Sequence, residues 1–106
     1  MAGTKVTRGE IWLIDLGMAH KQRPAVVMSV AFEDHERALV TYVPRTTSRR
    51  DTRFEVTHSA RGFDDGAFDA QSLGTIPIVR LIRRIGLLDN TTLQQVEAAV
   101  RAWLAL

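Results

Sequence analysis

The residue types able to do chemistry fall into two short stretches of the chain. In the first, Arg45, Arg49, Arg50 and Arg53 surround the hydroxyl run Thr46-Thr47-Ser48. Guanidinium groups pair phosphoryl oxygens two at a time and stack on bases. This stretch therefore fits a surface that tracks a nucleic-acid backbone; the competing reading is a solvated charge run. In the second, His20 stands three residues before Arg23. Imidazole titrates near neutral pH and suits proton transfer, although a loop histidine also serves simply as an exposed side chain. His35 and His58 have no partner nearby in sequence and read as surface residues. Asp64 and Asp65 have no third ligand at useful spacing, so they read as part of a loop and no metal or cofactor is expected.

These residues need elements to position them. Residues 10–15 (EIWLID) are apolar and β-prone and predict a first strand. Residues 15–22 form a loop, and 23–29 (RPAVVMS) a second strand with Pro24 confined to its start or an edge. A polar connection over 31–37 leads to a third strand over 38–44, and a polar turn over 45–52 carries three of the arginines. Alternation predicts a fourth strand over 53–57. A Gly/Asp loop through 64–66 precedes a fifth strand over 67–73, a short helical turn over 77–80 and a last strand over 81–88. Asp89 is a good N-cap for a helix of about fourteen residues. Leu93, Val96, Val100, Trp103 and Leu104 fall on one face of it. Trp103 is expected to pack there, and Trp12 is expected in the core rather than on a base-stacking platform. Five or six short strands and one amphipathic helix predict a mainly β fold, a small bent sheet or barrel with a C-terminal helix packed against it.

Composition bounds the setting. A chain of 106 residues, 45% hydrophobic, supports one domain spanning 1–106 with a modest core. No apolar stretch reaches the roughly 18 residues of a membrane span, and the N-terminus has no apolar signal region. The absence of cysteine excludes disulfides and thiolate metal sites and fits a reducing cytoplasm. The net charge is only +2, but twelve of the fourteen Lys and Arg residues are arginine. That bias fits phosphate binding and equally fits a GC-rich genome.

Three segments in order, Arg8-Gly9-Glu10-Ile11-Trp12-Leu13-Ile14-Asp15, Arg23-Pro24-Ala25-Val26-Val27-Met28-Ser29, and Val43-Pro44-Arg45-Thr46-Thr47-Ser48 followed by Phe54-Glu55-Val56, resemble the MazF/PemK family of toxins. A weaker likeness continues through Gln71, Ile76 and the C-terminal helix. The resemblance implies an SH3-like or plasmid-toxin-type barrel that forms a homodimer. It implies metal-independent endoribonuclease action on single-stranded RNA, and a cognate antitoxin whose extended tail occupies the RNA groove. It makes Arg23 the active-site arginine and Thr46 the hydroxyl after the third strand, with Thr47 and Ser48 as neighbours able to replace it. Certain members carry a histidine in the loop where His20 stands. The chain departs from the family in that loop, which is shorter and lacks the common Gly-Ser-Glu-Gln stretch. Ala70 stands directly before Gln71 where some members have an acid, with Asp69 one place earlier.

The chemistry implied by the resemblance uses the substrate's 2′-hydroxyl as nucleophile. A protein that promotes it must stabilise charge on the phosphoryl oxygens and manage two protons. Arg23 suits the first task, with proton donation to the leaving oxygen as a secondary role; a guanidinium holds its proton too firmly near neutrality to be a good base. Two other readings stand beside this one: a same-fold toxin that binds gyrase without cutting RNA, and a member that only binds RNA or an antitoxin.

Overall fold

The structure is a computed structural model and describes residues 5–17 and 22–106. In chain order it contains β1 (Glu10–Asp15), β2 (Gln22–Val27), β3 (Leu39–Thr46), β4 (Glu55–His58), β5 (Gly66–Asp69), β6 (Gly74–Pro77), β7 (Leu81–Leu87) and the helix α1 (Asn90–Leu104). The seven strands form one antiparallel sheet in the order β4-β5-β3-β2-β1-β7, with β6 added to β3. The expected mainly β fold with a C-terminal helix is therefore present. The sheet is barrel-like but open, since its outer strands β4 and β7 do not pair with each other.

β3 organises the sheet. One of its edges pairs with β2, from Ala25↔Pro44 to Val27↔Tyr42. The other edge is divided: residues 39–42 pair with β6, and Arg45 and Thr46 pair with β5. Pro44, which has no N–H to give, falls in the gap between these two partners, where no ladder bond is lost. The strand thus runs through Arg45 and Thr46, which the sequence had assigned to the following turn.

Directly opposed residues in an antiparallel ladder share a face. Trp12 and Ala25 are opposed on one face, and Ile11, Val26 and Val43 on the other. The first face buries Val6, Trp12, Ile14, Ala25, Val27, Val40 and Tyr42. The second buries Ile11, Val26, Val43 and Phe68 against Leu88 and, from the helix, Leu93 and Val96. This is why 25–27 is an unbroken apolar run: both faces of β2 are covered.

Asp89 caps α1 by accepting from the Thr92 N–H at 3.0 Å and the Thr92 hydroxyl at 2.9 Å. Leu93, Val96 and Ala99 are buried beneath the helix, but it overruns the sheet. Trp103 is 43% exposed, so the expectation that it packs holds only for its edge contact with Phe54, ring centroids 5.3 Å apart. No helix among the described residues is long and apolar enough to cross a membrane.

Two boundaries differ from expectation for local reasons. The fifth strand stops at Asp69, whose carboxylate accepts from the Gln71 N–H and the Ser72 hydroxyl and turns 70–72 into a 3₁₀ helix. β6 was not foreseen, because four residues ending in Gly74 and Pro77 carry no periodic signal. Gly74 is required there: a Cβ would meet the Tyr42 hydroxyl at 2.5 Å. The predicted turn near 77–80 is a 3₁₀ helix over Ile78–Arg80.

Phe68→Ala, which empties the centre of the second face, is expected to lower folding stability by about 3–5 kcal/mol. Trp103→Ala at the exposed helix end is expected to cost much less. Urea unfolding of the two variants checks the order.

Candidate active site

The pairing register brings two sequence-predicted residues together. The β2–β3 pairs run Ala25↔Pro44, Val26↔Val43, Val27↔Tyr42. Continued by two residues, this register sets Arg23 opposite Thr46, on one face of the sheet. Arg23 also lies across from Ile14 of β1. Both residues line an open cleft of about 360 Å³ with Pro24, Arg45, Thr47, Ser48 and the segment Gly62-Phe63-Asp64.

Arg23 is half-buried, and its guanidinium makes no hydrogen bond or ion pair among the described residues. Among the described residues nothing occupies the place where this guanidinium could receive an anion. The Thr46 hydroxyl oxygen accepts from the Ser48 N–H at 3.0 Å. This is the local turn bond that hydroxyl residues make, and it leaves the hydroxyl proton available to donate elsewhere. Thr47 and Ser48 are exposed beside it.

Arg45 and His58 are placed differently from expectation. Arg45 is 4% exposed and His58 is 8% exposed. Arg45 is therefore no solvated phosphate tracker, and His58 is no surface residue. Arg45 Nε donates to His58 Nδ1 at 2.9 Å, and its Nη2 donates to the His58 carbonyl at 2.7 Å and to the Asp64 carbonyl. The guanidinium also lies over the Phe63 ring, 5.1 Å from its centroid. Burial pulls the Arg45 pKa below its ordinary value, and Asp64 and Asp65 oppose this. Burial, and after it the Arg45 charge, pushes the His58 imidazole below its ordinary value; Asp89 opposes. The sequence held a signal for this pair. His58 is two residues beyond Val56, and Arg45 two beyond Val43, so each continues an inward-facing alternation.

The remaining predicted residues scatter. Arg49 lines a shallow hollow beside the cleft with His58 and Asp65. Arg50 is held by its backbone, its N–H bonded to the Glu55 carboxylate at 3.0 Å. Glu55 also accepts from the Thr52 N–H at 3.3 Å and so ties down the arginine-bearing turn. Arg53 lies over the Phe54 ring at 4.5 Å, and it is not among the residues lining the cleft. Gln71 is exposed on the 3₁₀ helix and likewise does not line the cleft. His20 lies outside the described residues. Asp64 and Asp65 serve the loop: the Asp64 carbonyl receives Arg45, and the Asp65 carboxylate accepts from the Ser59 hydroxyl at 2.8 Å. Among the described residues one group could hold a metal ion, Glu33, His35 and Glu36. It is exposed on the β2–β3 connection and does not line the cleft.

Comparison with known proteins is consistent with this geometry. The family model described as PemK-like, MazF-like toxin of type II toxin–antitoxin system matches residues 7–104. An endoribonuclease solved in complex with its cognate antitoxin from a mycobacterial species is 24% identical; the match covers 95% of this chain and 96% of that one, with a TM-score of 0.82. The Mycobacterium tuberculosis toxin MazF-mt6 is 25% identical over 92% of this chain and 97% of its own, with a TM-score of 0.76. MazE–MazF from Deinococcus radiodurans is 20% identical over 98% and 99%, with a TM-score of 0.82.

Gly66, opposite His58 on β5, sits where a Cβ would overlap the Thr46 carbonyl oxygen and the Arg45 guanidinium. Gly66→Ala is expected to destabilise the fold by about 1–3 kcal/mol through overpacking, measured as a lower urea midpoint.

Proposed function

This chain belongs to the PemK-like, MazF-like toxins of type II toxin–antitoxin systems, and we propose that it cuts single-stranded RNA at short sequences without a metal ion, leaving 2′,3′-cyclic phosphate and 5′-hydroxyl ends. The observation that carries this reading is the Arg23 guanidinium, unpaired among the described residues, sharing an open cleft with the Thr46 hydroxyl. The cleft offers hydrogen-bond donors and positive charge, which suits an anionic phosphoryl group.

In the proposed reaction the substrate's 2′-oxygen attacks the adjacent phosphorus and the bond to the 5′-oxygen breaks. Charge builds on the non-bridging oxygens as the fifth bond forms. Arg23 pairs two of these oxygens, and Thr46 donates its hydroxyl proton to one, since its own oxygen already receives Ser48. Donors fixed in place before the reaction stabilise the transition state without reorganising. His20, in the segment before β2, accepts the 2′-hydroxyl proton, and the departing 5′-oxygen takes a proton from Arg23, which is reprotonated from solvent. Thr47, Ser48, Arg49 and Arg50 guide the flanking backbone.

The same cleft is proposed to receive the extended tail of a cognate antitoxin. A homodimer is proposed from the family, and the exposed apolar side chains Val30, Val79 and Ile82 supply surface for it to bury.

Incubation of the protein with a long mixed-sequence RNA in EDTA is expected to give discrete cuts with cyclic phosphate ends. A single 2′-deoxy substitution at the cut should abolish it, because the nucleophile is gone. Arg23→Ala and Thr46→Ala are each expected to lower the cleavage rate by about 10²–10³-fold. His20→Gln should remove the acidic limb of the pH–rate profile. Intact RNA, with Arg23→Ala as toxic as the parent protein, would reject the nuclease in favour of a gyrase-type binder.

A further inference from the structure

We infer that Arg45 and His58 form a latch that positions the wall of the cleft, holding the Gly62-Phe63-Asp64 segment against the end of β3. The inference deepens the reading of this cleft as an RNA site and rests on it.

Arg45 and His58 are the two polar residues buried in the core among the described residues, and they are bonded to each other. The pair adjoins an apolar layer: Arg45 lies across from Phe68, and the His58 and Phe68 rings are 5.0 Å apart. A buried charged or polar pair adds little stability over apolar residues of the same volume. What it supplies here is direction. One guanidinium reaches three acceptors at fixed angles, two on β4 and one, the Asp64 carbonyl, on the loop. The Phe63 ring has the Arg45 guanidinium over it, 5.1 Å from its centroid, and makes a T-shaped contact with the imidazole at 5.3 Å. No buried side-chain polar atom among the described residues is left without a partner, so the latch is complete as it stands. It also fixes part of the cleft, because Phe63 and Asp64 line it together with Arg23 and with Thr46, the next position on β3.

The latch has a chemical requirement. His58 Nδ1 accepts from Arg45, so it must carry a lone pair and the ring must be neutral. A proton on Nδ1 would face the Arg45 N–H and set two cations side by side. The charged groups facing His58 are Arg45 from β3, Arg49 from the β3–β4 turn, Asp65 from the loop before β5, and Asp89 from the helix cap. Because the folded ring titrates below its unfolded value of about 6.5, the latch is fully closed above that pH. It is lost as pH falls through the folded value.

Two measurements test this: amide hydrogen exchange at Phe63 and Asp64, corrected for intrinsic rates, and affinity for a 2′-O-methyl RNA that cannot be cut. In the parent protein, loop exchange should rise and affinity should fall together as His58 titrates, followed by its imidazole NMR signals. His58→Asn, whose Oδ1 accepts where Nδ1 did, should hold the loop at every pH. The doubly apolar Arg45→Leu/His58→Leu protein should fold stably yet exchange its loop rapidly and bind the RNA on the order of tenfold more weakly. The latch is overturned if loop exchange and affinity in that folded double variant match the parent. It is overturned equally if His58→Asn is as pH-sensitive as the parent. Should the double variant fail to fold, the parent and His58→Asn titrations decide. A parent protein that binds RNA but never cuts it defeats the nuclease reading alone, leaving the loop measurements to judge the latch.

Discussion

The division of one edge of β3 between β6 and β5 is the constraint from which the other features follow. Pro44 sits where the second edge of the strand changes partner, without costing a ladder bond. The partner change brings Phe68 of β5 to the second face and Ile76 of β6 to the first. It also carries the chain past the proline for two more residues, so that Thr46 ends inside a ladder and opposite Arg23. Had the strand stopped at Pro44, the hydroxyl would belong to a mobile turn.

Two arginines one strand apart illustrate how burial divides a single residue type into two tasks. Arg23 is half-buried and has no partner among the described residues, so its charge is directed at the cleft it lines. Arg45 is buried and has its donors directed at His58 and Asp64. Elsewhere Arg84 pairs with the largely covered Glu10 carboxylate at 3.3 Å. Arg8 is intermediate: it joins Glu97 of the helix at 2.9 Å and the Met28 carbonyl at 3.1 Å, and so ties the entry of β1 to α1. Geometry is the larger contribution of such pairs, since each fixes one element relative to another.

Legibility followed the range of the interactions. β1 falls at the predicted residues, and Asp89 caps α1 as expected, because apolar pattern and capping act within a few positions. β6 was hidden because it is stabilised by pairing with residues more than thirty positions away, including the Thr41–Thr75 hydroxyl contact at 2.8 Å. The fifth strand was drawn too long because Asp69 bonds forward to Gln71 and Ser72, a competition that alternation does not register. Arg53 and Gln71 look equivalent to their neighbours in sequence, yet one is engaged by Phe54 and the other leaves the sheet.

By itself the sequence determined the mainly β fold, the closing helix, and the two segments that meet as Arg23 and Thr46, since apolar period, turn chemistry and motif order are properties of neighbouring residues. Only the tertiary structure decided that Arg45 is buried rather than solvated, and that His58 is its acceptor rather than a surface side chain. The reason is physical: whether a charge is screened by water or directed by a partner depends on what the rest of the chain packs against it. Here that packing comes from Phe63, Asp64 and Gly66, residues whose positions no local pattern specifies.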